Sequence, residues 1–303
     1  MRVVITGASG FIGRALCREL HKDYKIVALS RDAGRAVTSV GNWAEVVEWD
    51  GRTSRGWIRQ ADGAFAIINL AGENVAAGRW NKSKKASILH SRLDSSSAVL
   101  EAIRQVSKKP AVVIQASAVG YYGSRADEQL DEASMPGEGF LASVCQCIES
   151  FAEEIEHLDV RCVVIRTGIV LGRDGGALAR LITPFRFYVG GYLGSGRQWF
   201  SWISLEDEVS AIRFLMEDEN SKGVFNLTSP QPVTMKELCV ILGKVLHRPA
   251  WLGVPGFVVR FALGEMAKEM LLSGQRVLPK RLLAAGFKFK YADVEKALNA
   301  IIL

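Results

Sequence analysis

Eight residues near the start of the chain, Thr6-Gly7-Ala8-Ser9-Gly10-Phe11-Ile12-Gly13, restrict its fold more than any other segment. Their glycines, spaced G-x-x-G-x-x-G, follow a short apolar run, Val3–Ile5, and open an amphipathic stretch, Ile12–Leu20. The segment therefore reads as strand, tight turn and helix. In that context the glycines serve three ends, which are the turn itself, a backbone close enough to touch a pyrophosphate, and contact between helix and strand. The helix N-terminus adds unpaired N–H groups and the positive end of the helix dipole. The spacing points to a dinucleotide phosphate site formed by Gly7, Ser9, Gly10, Phe11, Ile12 and Gly13.

Downstream, short apolar runs alternate with helix-length segments. They are Ile26–Leu29, Val46–Trp49, Phe65–Leu70 and then a helix ending near Ile103, Val112–Ala116, a helix near Phe140–Glu156, and Val160–Arg166. The runs are continuously apolar, as strands covered by helices on both faces are. Such alternation marks βαβ units in a parallel sheet. Beyond residue 168 glycines punctuate a loop-rich stretch, and regular segments return at Leu205–Met216, Val224–Leu227 and Met235–Leu246. We expect an α/β fold: a Rossmann-type doubly wound parallel sheet over residues 1–227, with a substrate-loop insertion at about 172–200. Residues 228–303 should form a small, mostly helical C-terminal substrate lobe.

The second strand bears on which dinucleotide is held. A carboxylate at its end usually takes the ribose 2′-hydroxyl of NAD, whereas a 2′-phosphate calls for arginine and repels a carboxylate. The chain has Leu29-Ser30-Arg31-Asp32 here. Ser30 takes the strand end and Arg31 can fork onto a phosphate. NADP(H) is expected in preference to NAD(H). Asp32 keeps NAD as the alternative, and a solvated loop residue is the plainer reading of Arg31.

A formal charge of +6 raises the question of nucleic acid. The basic residues are dispersed, and the densest group, Arg79, Lys82, Lys84, Lys85 and Arg92, has only Trp80 as a stacking aromatic. No nucleic-acid partner is expected, and the mild basicity suits a polyanionic small ligand. The cysteines, Cys17, Cys145, Cys147, Cys162 and Cys239, form no metal-ligand pattern, and the histidines stand apart, so no metal is expected. Free thiols suit a reducing compartment. Cys145 and Cys147, two apart on one helix, should face different sides. There is no signal-peptide pattern and no apolar run of the ~18 residues a spanning helix needs. A cytoplasmic protein with no membrane partner is expected, as a monomer or homodimer.

With these motifs in view, the chain resembles the extended, or atypical, short-chain dehydrogenase/reductase family over nearly its whole length. Ile68-Asn69-Leu70-Ala71-Gly72 stands where that family has N/H-L-A-[AG], and Ser117-Ala118-Val119-Gly120-Tyr121-Tyr122-Gly123 where it has S-S-x-x-V-Y-G. Arg166-Thr167-Gly168-Ile169-Val170-Leu171-Gly172 is similar to R-x-x-x-V-x-G, and Ser201-Trp202-Ile203-Ser204-Leu205-Glu206-Asp207 to W/F-I-H-x-x-D. Gly72-Glu73-Asn74, Arg79-Trp80-Asn81, Ser91-Arg92-Leu93, Gly194-Ser195-Gly196-Arg197-Gln198 and Gly274-Gln275-Arg276-Val277-Leu278-Pro279 resemble a nucleotide-sugar-epimerase-like subfamily. Its members are often labelled epimerase family protein, and Leu246 to Leu303 looks like their small C-terminal domain of unknown function. The resemblance implies Leu70, Ala71, Gly72 and Arg92 as further cofactor contacts, Arg92 standing where the family commonly has Asn.

One departure bears on chemistry. Active members of the family use Tyr-x-x-x-Lys on the fifth helix, the lysine lowering the tyrosine pKa so that it exchanges a proton with substrate. Aligning Glu149 with the family's glutamate puts Leu141 at the Tyr position and Cys145 at the Lys position. The standard mechanism is absent or rebuilt from other groups. Candidates are Ser117 and Tyr122 as catalytic groups, with Glu73, Tyr121, Arg197 and Trp202 toward substrate. Core packing is the plainer reading of the tyrosines, a cap or ion pair that of Glu73, and a surface ion pair that of Arg197. Two functions stay open: an NADP-dependent oxidoreductase or epimerase with an atypical acid/base acting on a small polar substrate, and a non-catalytic NADP-binding sensor or scaffold.

Overall fold

In the computed structural model, which describes residues 1–303, the strands run in chain order as β1 (Arg2–Thr6), β2 (Lys25–Ser30), β3 (Glu45–Glu48), β4 (Ala66–Asn69), β5 (Val112–Ala118), β6 (Gln129–Leu130), β7 (Arg161–Thr167), β8 (Ile169–Gly172), β9 (Gly175–Gly176), β10 (Trp199–Phe200), β11 (Trp202–Ser204), β12 (Gly223–Leu227), β13 (Val233–Thr234) and β14 (Arg276–Val277). Seven of them form one sheet in the order β12-β7-β5-β4-β1-β2-β3. Every pairing in it is parallel. The helices are α1 (Phe11–Leu20), α2 (Ala33–Val40), α3 (Ile58–Ala61), α4 (Lys82–Gln105), α5 (Phe140–Glu156), α6 (Leu178–Arg186), α7 (Leu205–Glu217), α8 (Met235–Leu246), α9 (Gly256–Leu263), α10 (Lys280–Ala284) and α11 (Val294–Ile302).

The continuous apolar runs are explained by burial on both sheet faces. Alternate strand residues Val3, Ile5, Ala28, Ile68, Ile114 and Val163 join one core with Leu16 of α1 and Leu215 of α7. Their neighbours Val4, Val27, Leu29, Ile67, Val113 and Val164 join another with Val99 and Ile103 of α4 and Ile155 of α5. A strand read as alternating would have left one of these faces in water. A third core packs Leu171, Phe200 and Trp202 against Leu238 and Leu242 of α8 and Leu298 of α11. Segments on both sides of residue 228 thus share it. The fold is a Rossmann-like doubly wound α/β sheet. From β1 the chain passes outward to β2 and β3, then returns to β4 on the other side of β1. That reversal opens a crevice at the carboxyl ends of the strands, where such sheets bind ligands.

Candidate functional site

The crevice is shaped first by the turn after β1. Gly7 has φ 67°, in the left-handed region, and a Cβ there would meet the Leu70 carbonyl oxygen at 2.8 Å. A Cβ on Gly13 would lie 2.4 Å from the Gly7 carbonyl oxygen, so α1 crosses the turn at a distance only glycine permits. The buried Thr6 hydroxyl donates to Asn69 Oδ1 at 2.6 Å and accepts from the Leu70 and Ala71 N–H groups at 3.1 Å each, fixing the end of β4 against the end of β1. Among the longer helices, α4, α7 and α8 are capped by the side chains of Asn81, Ser204 and Thr234. Helix α1 has no side-chain cap and no acid in its first turn. Its first N–H groups are left for an acceptor from outside. They open on a cleft of about 720 Å³ lined by Gly7, Ser9, Gly10, Ser30, Arg31, Leu70, Ala71 and Gly72.

At the far end of this cleft the two acid/base alternatives of the second strand separate. Asp32 is the N-cap of α2 and accepts from the Arg35 N–H at 2.9 Å. Arg31 lines the cleft with Arg52, and its stem packs beside Gly51. Glu73 lines it too, held by Lys84 at 2.5 Å, and that ion pair lowers its carboxyl pKa.

Beyond Leu70 and Ala71 lies a second, mostly apolar cavity of about 270 Å³, walled by Val144, Ile148, Phe200, Met235 and Leu271. Leu141 and Cys145, one turn apart on α5, face it, as does Ser117 at the end of β5. Ser117 Oγ donates to Glu149 Oε1 at 2.6 Å. Arg166 grips both oxygens of Glu149, through Nε at 2.9 Å and Nη2 at 2.7 Å, and donates from Nη1 to the Tyr122 hydroxyl at 2.9 Å. That hydroxyl donates onward to Asn226 Oδ1 at 2.7 Å. Burial opposes the charge of Arg166, but the contact with Glu149 outweighs it and raises its pKa. Burial pushes the Cys145 thiol up to about 11 and Tyr122 up to about 12. Both are therefore neutral near pH 7.

The apolar cavity runs into a polar one of about 610 Å³, the two sharing Gly120, Leu141, Glu269, Ser273 and Gln275. Glu269 sits on the π-helical turn Ala267–Leu271. It accepts from the N–H groups of Phe140 at 2.8 Å and Leu141 at 2.9 Å. A residue 129 positions away thus caps α5, whose own N-cap, Gly139, has no side chain to do so.

Of the residues expected from sequence, Gly7, Ser9, Gly10, Ser30, Arg31, Leu70, Ala71, Gly72 and Glu73 are brought together on the first cleft. Phe11 packs on the glycine strip at Gly172, Gly175 and Gly176, which has room for its ring because it lacks side chains. Ile12 leans on the core of the sheet, and Gly13 on the turn. Arg92 is partly buried below Gly72, donating to the Glu73 and Ile88 carbonyls at 3.0 Å each, and lines the apolar cavity.

Four further residues expected at the site lie apart from the two cavities. Tyr122, expected as a proton donor, is enclosed and bonded to Arg166 and Asn226, away from the cavity wall. Tyr121 lies under the Arg166 guanidinium, 3.4 Å from its ring centre, and positions that group. Trp202 is fully buried in the third core, donating to the Gln231 carbonyl at 3.1 Å. Arg197 is exposed, while its neighbours Gln198 and Trp199 line the cavity. Glu149, seen in the sequence only as an alignment marker, is the hub of the polar network, and Glu269 and Arg52 went unnoticed. Cys145 is buried and Cys147 exposed, facing different sides as expected.

A glycine-turn cleft leading to a strand-end cavity is the layout of nucleotide-binding Rossmann proteins. Residues 3–228 match the NAD dependent epimerase/dehydratase family and residues 254–301 match a domain of unknown function, DUF1731. The chain belongs to the NAD dependent epimerase/dehydratase family. It is 40% identical to the Arabidopsis thaliana epimerase family protein SDR39U1 homolog, chloroplastic, over 100% of this chain and 87% of that one. It is 38% identical to the Bacillus subtilis epimerase family protein YfhF over 100% and 98% of the two chains. Among solved structures, the human epimerase family protein SDR39U1 with NADPH superposes with a TM-score of 0.88 at 31% identity, covering 99% of each chain.

Proposed function

We propose that this protein binds NADP(H) in preference to NAD(H) and acts as an oxidoreductase or epimerase on a small polar substrate, with an acid/base group other than Tyr and Lys. The observation that carries the reading is the uncapped start of α1 above a glycine turn, opening on the same cleft as Arg31. A Cβ on Gly10 would already stand 3.0 Å from the Gly7 carbonyl, so the cradle suits a pyrophosphate and not a side chain. The N–H groups of the first turn of α1 would hold that pyrophosphate, Ser30 and Arg31 the 2′-phosphate, and Leu70, Ala71 and Gly72 the path toward β5. The human relative bound to NADPH supports the choice of cofactor. When bound, such a cofactor supplies or accepts hydride. The unpaired thiols support a reducing, cytoplasmic setting.

Proton handling falls to Ser117. Its hydrogen is directed at Glu149, which leaves its oxygen as the acceptor available to the cavity. A hydroxyl so placed takes a proton from a substrate alcohol while passing its own to Glu149, with Arg166 holding that carboxylate in register; reduction reverses the path. Leu141 and Cys145 at the Tyr and Lys positions favour the second reading, a non-catalytic NADP-binding sensor. The two are separated by mixing the protein with NADPH and a panel of aldehydes, ketones and sugar nucleotides and following NADPH absorbance. An enzyme turns over, and Ser117→Ala slows it by about 100-fold or more. Tight NADPH binding with no turnover across the panel favours the sensor.

A further inference from the structure

Exposed aromatic side chains of the protein are gathered in two segments that are bridged to each other. All of its exposed Phe, Tyr and Trp side chains lie in two short segments: Phe187 at 73% and Tyr188 at 57% in one, Trp251 at 70%, Phe257 at 69% and Phe261 at 86% in the other. The segments are joined by bridges from Gly190 to Ala250 and from Leu193 to Val254, and the Arg248 guanidinium lies 4.5 Å over the Tyr188 ring. Helix α9 buries only Val259, leaving Phe257, Val258 and Phe261 outward. Large exposed apolar side chains concentrated on bridged neighbouring segments mark an interaction site.

The charge of these segments is one-sided. Residues 175–205 and 238–264 contain no Asp or Glu, in a chain with 32 such residues among 303. The same segments carry Arg180, Arg186, Arg197, Lys244, Arg248 and Arg260. Arg186 and Arg260 are exposed and make no side-chain hydrogen bond or ion pair; the partners of Arg180, Lys244 and Arg248 are the Ala76 carbonyl, Glu295 and the His247 carbonyl.

We propose that this face docks the protein on a membrane surface bearing anionic lipids, its aromatic rings at the headgroup boundary and its arginines on lipid phosphates. Tryptophan, tyrosine and phenylalanine beside arginine suit that boundary, and an anionic leaflet attracts such a patch. A second copy of the chain fits poorly. A twofold contact would bring together two copies of segments that carry arginines and no carboxylate of their own. Docking of this kind needs no spanning helix, and no helix here is long and apolar enough to cross a membrane. It departs from the expectation of no membrane partner. Helix α9 leads directly into the turn Ala267–Leu271, whose Glu269, Met270 and Leu271 wall the substrate-side cavity, so the docked face and that wall belong to one stretch of chain.

The test is co-sedimentation of the full chain with vesicles of phosphatidylcholine alone or mixed in equal parts with phosphatidylglycerol. Binding should require the anionic lipid and weaken with salt. Phe257→Ser with Phe261→Ser should reduce it about tenfold or more, and Arg186→Gln and Arg260→Gln about fivefold each. These residues are exposed, so circular dichroism and NADPH affinity should match wild type, which separates this proposal from the cofactor assignment. Absence of binding to the anionic vesicles overturns the proposal, as do variants that sediment like wild type. A concentration-dependent dimer in ultracentrifugation that Phe261→Ser dissolves also overturns it, assigning the face to self-association.

Discussion

Helices α1 and α5 both begin without a cap of their own, and the protein uses the two starts in opposite ways. The N–H groups of α1 open on a cleft with no acid nearby in its first turn, whereas those of Phe140 and Leu141 at the start of α5 are taken by Glu269. The same physical device, a row of unpaired donors with a positive dipole, is left open in one place and closed by Glu269 of the turn Ala267–Leu271 in the other. The first site is made from consecutive residues. The second exists only when the turn Ala267–Leu271 is folded against the start of α5.

The largest way to break the α5 side is Arg166→Leu. It leaves Glu149 nearly buried without its cation, and should cost about 3–5 kcal/mol, read as a lower midpoint in chemical denaturation. A midpoint within error of wild type would mean that the network contributes little. On the α1 side, Gly10→Val should weaken NADPH binding by about 100-fold or more, since a branched side chain takes the space beside the helix start, while circular dichroism remains native. A folded variant that binds as well as wild type would move the phosphate site elsewhere.

Glu208 supplies a pH-dependent comparison. It is fully buried on α7, accepts from Thr167 Oγ1 at 2.8 Å, and is pushed up to about 8 by burial. The folded state therefore keeps this proton after the unfolded state has lost it. Stability falls as pH rises from the ordinary carboxylate range to about 8 and levels off above. Glu208→Gln should remove that loss, so that the variant gains on wild type by on the order of 4 kcal/mol between about pH 5 and pH 9. A stability difference between the two proteins that does not change with pH would show that Glu208 does not titrate there. Glu269→Ala is the smallest change, about 1 kcal/mol, with faster hydrogen exchange at Phe140 and Leu141 and none at α1. Unchanged exchange at α5 would remove the contrast between the two helices.

The sequence exposes what is local. Glycine spacing, strand runs buried on both faces and the arginine after β2 can each be read from neighbouring residues, and the parallel sheet and first cleft follow from them. The fate of single side chains depends on distant partners. Tyr121 and Tyr122 are adjacent and alike, yet one stacks on Arg166 and the other inserts beside Asn226, a choice set by β7 and β12. Trp202 belongs to a core completed by α8 and α11. Glu149 did leave a signal: an acid beside Ile148 on the buried side of α5, matched by an arginine closing an apolar strand run. Glu269 left none, because nothing near it in the chain reveals that it reaches α5.

The central claim is that α1 and Arg31 together make an NADP(H) site, and calorimetric titration of NADPH and NADH into wild type and Arg31→Glu tests it most directly. NADPH should bind wild type at least about tenfold more tightly, a difference of about 1.4 kcal/mol, and Arg31→Glu should abolish or reverse that preference. Equal affinities in wild type, or an Arg31→Glu protein that still prefers NADPH, would contradict it.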